Sequence, residues 1–496
     1  MQHPALRALL ALAAGCLITL SLAPFSLWPL ALLALLILHG LLQTADLRQA
    51  LLAGGLFGIA MMLSGAHWVY VSIHHFGGAS PLLAGIMTGG FCIGIGLLLA
   101  PFCGFYNRFL KHRPLGTTAG FAAIWLLSEW LKTWLLTGFP WLFVGYSQLD
   151  APLAAWAPVI GTLGISFLLA FSAAVSGHCL TSRKASWQLL WLLPVWLLPP
   201  ALASIEWTRP ISTKPLKVAM VQANIPQEKK WLPSWQQPIL DHYRQTTLAL
   251  ADQDLVIWPE TAIPEYLQYA GDFLALMHSS AIDSNSAIIL GIPSIERRPD
   301  RTAVYNSLVG IGQASGLYHK QKLVPFGEYV PLENWLRGLI AFFDLPMSSF
   351  SAGPPGQPPL LAHGLRIMPF ICYEIVYPDF VSRSAANADL LLTVSNDTWF
   401  GDSIGPLQHL QMARMRALET GRDLLRATNN GVTAAIDHRG RVIARLPQFT
   451  EAVLTAEVYP RKGLTPVMQY GTLPAVIFSI LIAVGLPVAG RWRLPV

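Results

Sequence analysis

Long apolar stretches, separated by short polar connections, make up most of the first 205 residues of the chain. Seven of them are long enough, or nearly so, to cross a bilayer as helices, and an eighth lies near the C-terminus. The predicted spans are Ala5–Leu22, Leu27–Leu42, Leu51–Val71, Leu82–Phe102, Thr117–Leu136, Leu153–Val175, Trp187–Ser204 and Leu473–Val488. We expect the first to be an anchor and not a cleaved signal peptide, because another apolar stretch follows it at once.

The positive charges between these spans favour one orientation. If the N-terminus is cytoplasmic, the connections on that side carry nine Lys and Arg residues: Arg7, Arg48, Arg108, Lys111, Arg113, Arg183, Lys184, Arg491 and Arg493. The opposite short loops, near residues 23–27, 73–81 and 137–152, carry none. The positive-inside rule then predicts that both termini are cytoplasmic and that the region between the seventh and eighth spans lies outside.

Two charged residues interrupt the fifth stretch, in "LLSEWLKTWLL". Glu129 and Lys132 are three positions apart, so they share a helix face and can form an ion pair. Charged side chains inside a membrane segment usually face protein or water. The pattern fits a structural ion pair near the outer interface, and it also fits a contact with a lipid head group.

The pattern changes between about residues 207 and 470, where short β-branched runs alternate with longer mixed segments at 235–252 and 406–425. This alternation predicts an α/β domain. We therefore divide the chain into transmembrane helices 1–7 (residues 1–206), an extracytoplasmic domain (207–470) and an eighth transmembrane helix with a cytoplasmic tail (471–496). The predicted strands are Val218–Val221, Leu255–Ile257, Ala287–Ile292, Val304–Ile311, Ile367–Ile371, Leu390–Val394, Thr433–Ile436 and Val442–Leu446.

Composition supports a membrane protein and argues against nucleic-acid binding, a disulfide framework and a zinc site. Of the 496 residues, 53% are hydrophobic and only 12% are charged, which excludes an ordinary soluble protein. The formal net charge of +6 does not indicate nucleic-acid binding, because the basic residues are distributed between the membrane segments. The five cysteines have neither the spacing of a disulfide framework nor that of a zinc site, and we predict no metal and no cofactor.

Three reactive side chains follow predicted strands: Glu260 after "LVIWP", Lys320 after "GLYH" and Cys372 after "IMPFI". Functional groups of α/β sheets gather at the carboxyl ends of strands. Together the three side chains would suit acyl transfer, with a thiol nucleophile, a carboxylate base and an ammonium that stabilises an oxyanion. Each one alone is more often structural: a buried thiol, a turn carboxylate or a solvated lysine.

Four motifs around these residues are similar to those of the nitrilase superfamily: "WPE" (258–260), "HKQKLVPFGEYVP" (319–331), "ICYE" (371–374) and "NDTWFG" (396–401). Roughly residues 5–490 also resemble the membrane-anchored apolipoprotein N-acyltransferase family, through "NIPQEKKW", "VPFGEYVP" and "ALETGRDLLRATNNG". The resemblance implies a four-layer αββα sandwich with Glu260 as base, Lys320 as oxyanion stabiliser and Cys372 as nucleophile.

The resemblance further implies a second active-site carboxylate at Glu328 and supporting roles for Trp231, Tyr373 and Glu374. From the residues alone, Glu328 could orient Lys320 across a turn or simply belong to that turn. The backbone N–H of Tyr373 is a natural second oxyanion donor.

By resemblance, a phospholipid donates an acyl chain to the Cys372 thiol, and the thioester passes it to the N-terminal amine of a diacylglyceryl-modified apolipoprotein. The expected location is the bacterial inner membrane, with the catalytic domain on the periplasmic side and a monomer as the expected state. Two alternatives stay open, a membrane-tethered amidase that uses the same triad on small amides and a non-enzymatic transporter or scaffold. Aromatic loops at 229–235 and 340–350 either contact lipid and gate the cleft or cap the domain's own core.

Overall fold

The computed structural model describes residues 3–113, 115–299, 302–325, 327–329 and 350–489. Its N-terminal region is helical, and several helices are joined by short 3-10 or π turns. These helices are α1 (Pro4–Ser21), α2 (Pro29–Gln43), α3 (Leu47–Gly65), α4 (Pro81–Leu97), α5 (Leu99–Phe105), α6 (Phe121–Leu131), α7 (Ala157–Thr181), α8 (Leu192–Leu197) and α9 (Pro199–Ala203).

Four helical segments in the described ranges are long and apolar enough to cross a membrane: Pro4–Ser21, Leu47–Gly65, Pro81–Leu110 and Pro152–Thr181. Three shorter apolar helices, Pro29–Gln43, Trp187–Ala203 and Leu473–Val488, coincide with further predicted spans. The predicted span Thr117–Leu136 differs, because its α-helix ends at Leu131 and the backbone reaches positive φ at Leu136. The coarse prediction of an apolar helical region is therefore confirmed, whereas the number of eight spans stays a prediction.

The expected ion pair in this segment is absent. Glu129 and Lys132 are both described and buried, yet no contact within 4 Å joins them. Glu129 instead accepts hydrogen bonds from the indole of Trp125 at 3.0 Å and from the backbone N–H of Val144 at 2.8 Å. Lys132 Nζ lies 5.1 Å from the ring centroid of Phe143. Both charges therefore secure the loop after α6 and do not face lipid.

The second region contains fifteen described strands in two large sheets and one small one. The strands are β1 (Thr208–Pro210), β2 (Leu216–Gln222), β3 (Leu255–Ile257), β4 (Ala287–Arg297), β5 (Thr302–Gly312), β6 (Ala314–Ser315), β7 (Leu317–His319), β8 (Leu360–Ala362), β9 (Leu365–Ile371), β10 (Leu390–Ser395), β11 (Leu424–Thr428), β12 (Ala434–Ile436), β13 (Val442–Arg445), β14 (Ala452–Val458) and β15 (Arg461–Gly463). One sheet has the order β14-β2-β3-β4-β5-β7, the other β13-β12-β11-β10-β9-β8-β6, and β1 pairs with β15.

Seven helices in the described ranges accompany or follow these strands. They are α10 (Gln227–Lys230), α11 (Pro233–Leu248), α12 (Gly271–Asp283), α13 (Pro378–Ala385), α14 (Gly405–Thr420), α15 (Pro466–Tyr470) and α16 (Leu473–Ala489).

The alternation of side chains along β2 explains the layers. Val218 and Met220 belong to the large core between the sheets, whereas Ala219 and Val221 belong to a second core with α11 and α12. Helices α13 and α14 cover the other face of the second sheet. The result is an α/β sandwich with the layer order helix, sheet, sheet, helix.

All eight predicted strands are present, but the eight predictions leave out seven described strands: the short β1, β6, β7, β8 and β15, and the longer β11 and β14. Strand β11 pairs in parallel with β10 and contains Arg426 at a fully buried position, which interrupts its apolar pattern. Strand β14 alternates exposed and buried residues at the edge of its sheet, beside β2. Strand β11 begins inside the mixed segment 406–425, and β14 lies outside every predicted element.

Helix α14 docks the sandwich on the helical region. Glu419 accepts hydrogen bonds from the backbone N–H of Thr162 at 2.7 Å and from its hydroxyl at 2.6 Å. Arg416 forms a buried ion pair with Glu419 at 3.1 Å. At the other end of the helix, Gln408 accepts from the indole N–H of Trp141 at 2.7 Å. These buried polar contacts fix the orientation of the two regions.

Candidate active site

The structure brings Glu260, Lys320 and Cys372 together. Glu260 follows β3 by three residues, while Lys320 and Cys372 come directly after β7 and β9, so the cluster joins the ends of strands from both large sheets. Lys320 Nζ lies 3.3 Å from Glu260 Oε1, and both side chains are buried. Cys372 is close enough that the charges of Glu260 and Lys320 both act on its thiol.

Lys320 is held between two carboxylates. Besides Glu260, its ammonium donates to Glu328 Oε1 at 2.8 Å. Burial opposes the charged form, but Glu260 and Glu328 outweigh it and raise the pKa of Lys320 above its ordinary value. Lys320 is therefore a permanent cation, and with only 1% of its side chain exposed it has no competing solvent shell.

Glu260 has a complete set of partners. Its Oε1 accepts from the amide of Asn306 at 2.7 Å, and its Oε2 accepts from the backbone N–H of Asn396 at 2.7 Å. These donors and the Lys320 ammonium hold both carboxylate oxygens of Glu260 in place. The same Asn306 amide reaches Glu328 Oε1 at 3.2 Å, so one side chain orients both carboxylates.

A second lysine approaches from α10. Lys230 Nζ donates to the backbone carbonyl of Glu260 at 3.3 Å and is buried. Burial lowers the pKa of Lys230 to about 8, although the charge of Glu260 partly opposes this shift. The Lys230 charge therefore depends on pH in the physiological range, whereas that of Lys320 does not.

Cys372 occupies a strained position between β9 and a 3-10 helix that spans Cys372–Val376. Its φ is 52°, in the left-handed region that costs a residue with a side chain of this kind about 1 to 3 kcal/mol. Burial, and then the charge of Glu260, raise the pKa of the Cys372 thiol well above its usual range, although Lys320 lowers it. The resting nucleophile is therefore a neutral thiol beside a carboxylate.

Glu374 fixes the chain just before the thiol. Its buried carboxylate accepts from the backbone N–H of Ile371 at 2.7 Å, of Gln321 at 2.6 Å and of Lys322 at 3.2 Å. It thereby ties the end of β9 to the segment that follows Lys320. Burial raises the pKa of Glu374 to about 7, although these hydrogen bonds act in the opposite direction.

A buried polar network fixes the chain on the other side of the thiol. His409 Nε2 lies 3.1 Å from the carbonyl oxygen of Cys372, and Arg426 Nη2 lies 3.2 Å from His409 Nδ1. Because a guanidinium only donates, Nδ1 accepts and Nε2 carries the hydrogen that bonds the Cys372 carbonyl. Burial, and then the charge of Arg426, lower the pKa of His409, which is consistent with a neutral ring.

Asp397, from the "NDTWFG" motif, completes this network. Its carboxylate accepts from Arg426 Nη2 at 2.6 Å and lies 3.5 Å from His409 Nδ1. Burial opposes its charge, but the charge of Arg426 lowers the pKa of Asp397 to about 2. The ion pair of Asp397 and Arg426 therefore holds the imidazole ring of His409 in place.

The remaining predicted residues lie at different places. Glu328 and Glu374 contact the cluster as described. The Tyr373 hydroxyl donates to the carbonyl of Gly138 in the helical region at 3.0 Å, so its side chain joins the two regions. Trp231 lies in the loop after α10 with 40% of its surface exposed, and no hydrogen bond in the described ranges links its side chain to the cluster.

The two aromatic loops are described to different extents. In the loop 229–235, Trp231 and Leu232 are exposed, whereas Trp235 packs against the core beneath α11. Of the loop 340–350 only Phe350 is described, and it is buried. The aromatic residues Phe342 and Phe343 of this loop, for which gating and core-capping roles both stay open, lie outside the described residues.

Sequence reasoning missed several residues of the site: Lys230, Asn306, Asn396, His409 and Arg426. Two of them left a signal in the pattern, because Asn306 and Arg426 are polar residues inside otherwise apolar strand runs, "AVYNSLVGI" and "LLRAT". Such a residue in a buried strand needs a partner. His409 left none, because a polar residue in a helix usually faces solvent.

The chain is similar to known proteins over nearly its whole length. Residues 14–175 match the apolipoprotein N-acyltransferase N-terminal domain, and residues 217–462 match the carbon-nitrogen hydrolase family. An apolipoprotein N-acyltransferase from Pseudomonas syringae pv. tomato is 50% identical, with 96% of this chain and 95% of that protein covered. One from Pseudomonas aeruginosa is 48% identical, with 94% and 92% covered.

A solved structure is similar over the second region. It is a CN-hydrolase superfamily protein from Xanthomonas campestris, 21% identical, covering 53% of this chain and 97% of its own, with a TM-score of 0.38. The near full-length identity to the Pseudomonas relatives is the finding that decides the family. The chain belongs to the apolipoprotein N-acyltransferase family.

Proposed function

We propose that this protein transfers a fatty acyl chain from a phospholipid to the N-terminal amine of a diacylglyceryl-modified apolipoprotein, through a thioester on Cys372. The observation that carries the proposal is the buried cluster of a neutral thiol, a carboxylate and a permanent ammonium, in a chain of this family with long apolar helices. No cofactor enters the reaction.

The first half of the reaction forms the acyl-enzyme. Cys372 Sγ attacks the ester carbonyl of the phospholipid while Glu260 accepts the thiol proton, because the thiol is not ionised at rest. Lys320 and the backbone N–H of Tyr373 stabilise the oxyanion of the tetrahedral intermediate. When the ester C–O bond breaks, Glu260 returns the proton to the leaving oxygen, and a lysophospholipid departs.

The second half transfers the acyl chain to the acceptor. The α-amine of the apolipoprotein attacks the thioester carbonyl, and Glu260 accepts an amine proton. The C–S bond then breaks, Cys372 regains its proton, and the amide product leaves. Glu328 keeps Lys320 in place through both halves, since it binds the ammonium at 2.8 Å.

Membrane placement follows from the apolar helices. We infer eight spans, with residues 1–206 and 471–496 in the membrane region and both termini cytoplasmic, so that the catalytic domain of residues 207–470 lies on the periplasmic side of the inner membrane. The positive-inside count supports this orientation. Both substrates are lipids of the membrane surface, which explains why a thiol acyltransferase is anchored there. Trp231 and Leu232, which are exposed after α10, are candidates for contact with the acyl chain.

Intact-protein mass spectrometry tests the proposal. The purified full chain is incubated with a phospholipid that carries one labelled acyl chain, and a mass increase equal to that chain is expected on Cys372. Addition of a diacylglyceryl-modified peptide should remove the adduct and yield the N-acylated peptide. A membrane-tethered amidase would instead release ammonia from small amides and form no adduct with phospholipid, which would overturn the proposal.

A further inference from the structure

A groove separate from the catalytic cluster lies between the sandwich and the ends of two membrane-region helices. Its walls are the end of α6, the start of α16, helix α13 and the segment after Lys320, and its volume is about 990 Å³. Residues that matter to its chemistry are Trp130, Trp134, Lys322, Tyr377, Arg383 and Leu473. Glu260, Glu328 and Cys372 do not line it.

One end of the groove is cationic. Lys322 is exposed, and its Nζ lies 5.4 Å from the ring centroid of Tyr377 and 5.9 Å from that of Phe380. Within the described ranges, this ammonium meets aromatic rings and no carboxylate. An ammonium over a ring keeps most of its charge available to an anion above it.

A second cation lies nearby on α13. Arg383 contacts Asp379 at 2.8 Å through Nε, and 64% of its side chain stays exposed. Asp379 also accepts a hydrogen bond of 3.1 Å from the backbone N–H of Thr472, just before α16. The guanidinium therefore has free N–H donors that point away from its partner, and a guanidinium binds phosphate oxygens through such pairs of donors.

The other end of the groove is apolar and opens beside the membrane helices. Trp134 is 50% exposed and lies near the end of one predicted span, and Leu473 is 51% exposed and begins another. Tryptophan is typical of the membrane–water boundary. The groove thus places two cations next to an apolar opening beside α6 and α16.

We propose that this groove binds an anionic glycerophospholipid, with its phosphate between Lys322 and Arg383 and its acyl chains along Trp134 and Leu473. A net negative head group fits better than a zwitterionic one, because the ammonium of a zwitterion would meet the same two cations. The proposal requires membrane anchoring and does not depend on acyl transfer at Cys372.

Native mass spectrometry of the full chain in detergent tests the site. The probes are phosphatidylglycerol, phosphatidylcholine and inorganic phosphate, added separately. The wild-type protein should retain phosphatidylglycerol in preference to phosphatidylcholine, and Lys322→Gln with Arg383→Gln should weaken that retention about tenfold or more, since two charge-assisted contacts are lost. Free phosphate should displace little of the lipid, because it lacks the apolar part.

Matched controls are available. Arg441 forms an exposed pair with Asp437 at the same i,i+4 spacing as Arg383 with Asp379, and Lys217 is an exposed lysine outside the groove. Arg441→Gln with Lys217→Gln should leave phosphatidylglycerol retention unchanged. If the Arg383 variant does not fold, Lys322→Gln alone, at an exposed position, should still weaken retention severalfold. Equal retention in the groove and control variants, or displacement by phosphate alone, would overturn the proposal.

Discussion

The hydrogen bond from His409 to the carbonyl of Cys372 gives the sharpest prediction. The bond is 3.1 Å long, it is partly buried, and the accepting residue holds φ at 52°. His409→Leu fills a similar volume but removes the donor and leaves the carbonyl without this partner. His409→Gln places an amide N–H where the imidazole N–H stands, so it retains the donor.

An unpaired buried carbonyl costs about 1 to 3 kcal/mol. If this free energy is lost from the conformation in which the Cys372 thiol can react, acylation of Cys372 should slow roughly 5- to 150-fold in the Leu variant, because each 1.36 kcal/mol changes the rate tenfold. The Gln variant should stay within a few-fold of wild type. The assay is the single-turnover rate of the acyl adduct on Cys372, followed by intact-protein mass spectrometry with labelled phospholipid.

The pH profile separates a positioning role from proton transfer. Because burial and Arg426 keep His409 neutral, the Leu variant should show a lower rate with the same pH dependence as wild type. A changed profile would mean that the imidazole exchanges protons with the substrate. Equal slowing in the Leu and Gln variants would mean that packing matters and the hydrogen bond does not, and the reasoning above would be refuted.

Further predictions concern the cluster, its pH dependence and its support. Cys372→Ala should abolish the acyl adduct while leaving the thermal unfolding temperature near wild type, and Glu260→Gln should slow adduct formation by at least about 100-fold, as expected for loss of a general base. Folding raises the pKa of Glu374 from 4.5 to about 7, so its contribution to the free energy of unfolding should fall by about 3 kcal/mol as pH rises through that range. Glu374→Gln should flatten this pH dependence of stability, measured by tryptophan fluorescence. Glu419→Ala breaks a buried ion pair and should lower the free energy of unfolding by about 3 to 5 kcal/mol. The control Glu457→Ala, at an exposed position, should leave it almost unchanged in the same assay. Equal effects of the two variants would contradict the docking role of α14.

The strands of the second region could be predicted from the sequence because apolar β-branched runs leave a local signal. So could the meeting of Glu260, Lys320 and Cys372, since each comes within three residues after a strand and functional groups gather at strand ends. The partners of these residues could not. Asn306 reaches both Glu260 and Glu328 from the middle of β5, and its role depends on the pairing of β5 with β7, which no local pattern encodes.

The membrane region was less predictable for a related reason. Hydropathy identifies apolar stretches but not where a helix ends inside one. The chain leaves its helix after Leu131, and Glu129 holds the following loop through the N–H of Val144. The spacing of Glu129 and Lys132 suggested that the two would pair. Instead, Glu129 accepts from the N–H of Val144 and Lys132 contacts the carbonyl of Trp141, both in the following loop. A helix that is broken by tertiary contacts looks continuous in the sequence.

Helix α14 explains why the support of the thiol escaped prediction. A helix with many polar residues normally turns them to solvent, so Gln408, His409, Arg416 and Glu419 would be assigned to a surface. All four are buried, because α14 is covered by the seven-stranded sheet on one side and by α7 on the other. Gln408 then binds the helical region, and the next residue, His409, binds the Cys372 carbonyl. Since adjacent residues of one helix contact both, the position of the thiol is fixed relative to the apolar helices, as the proposed acyl transfer from a membrane lipid requires.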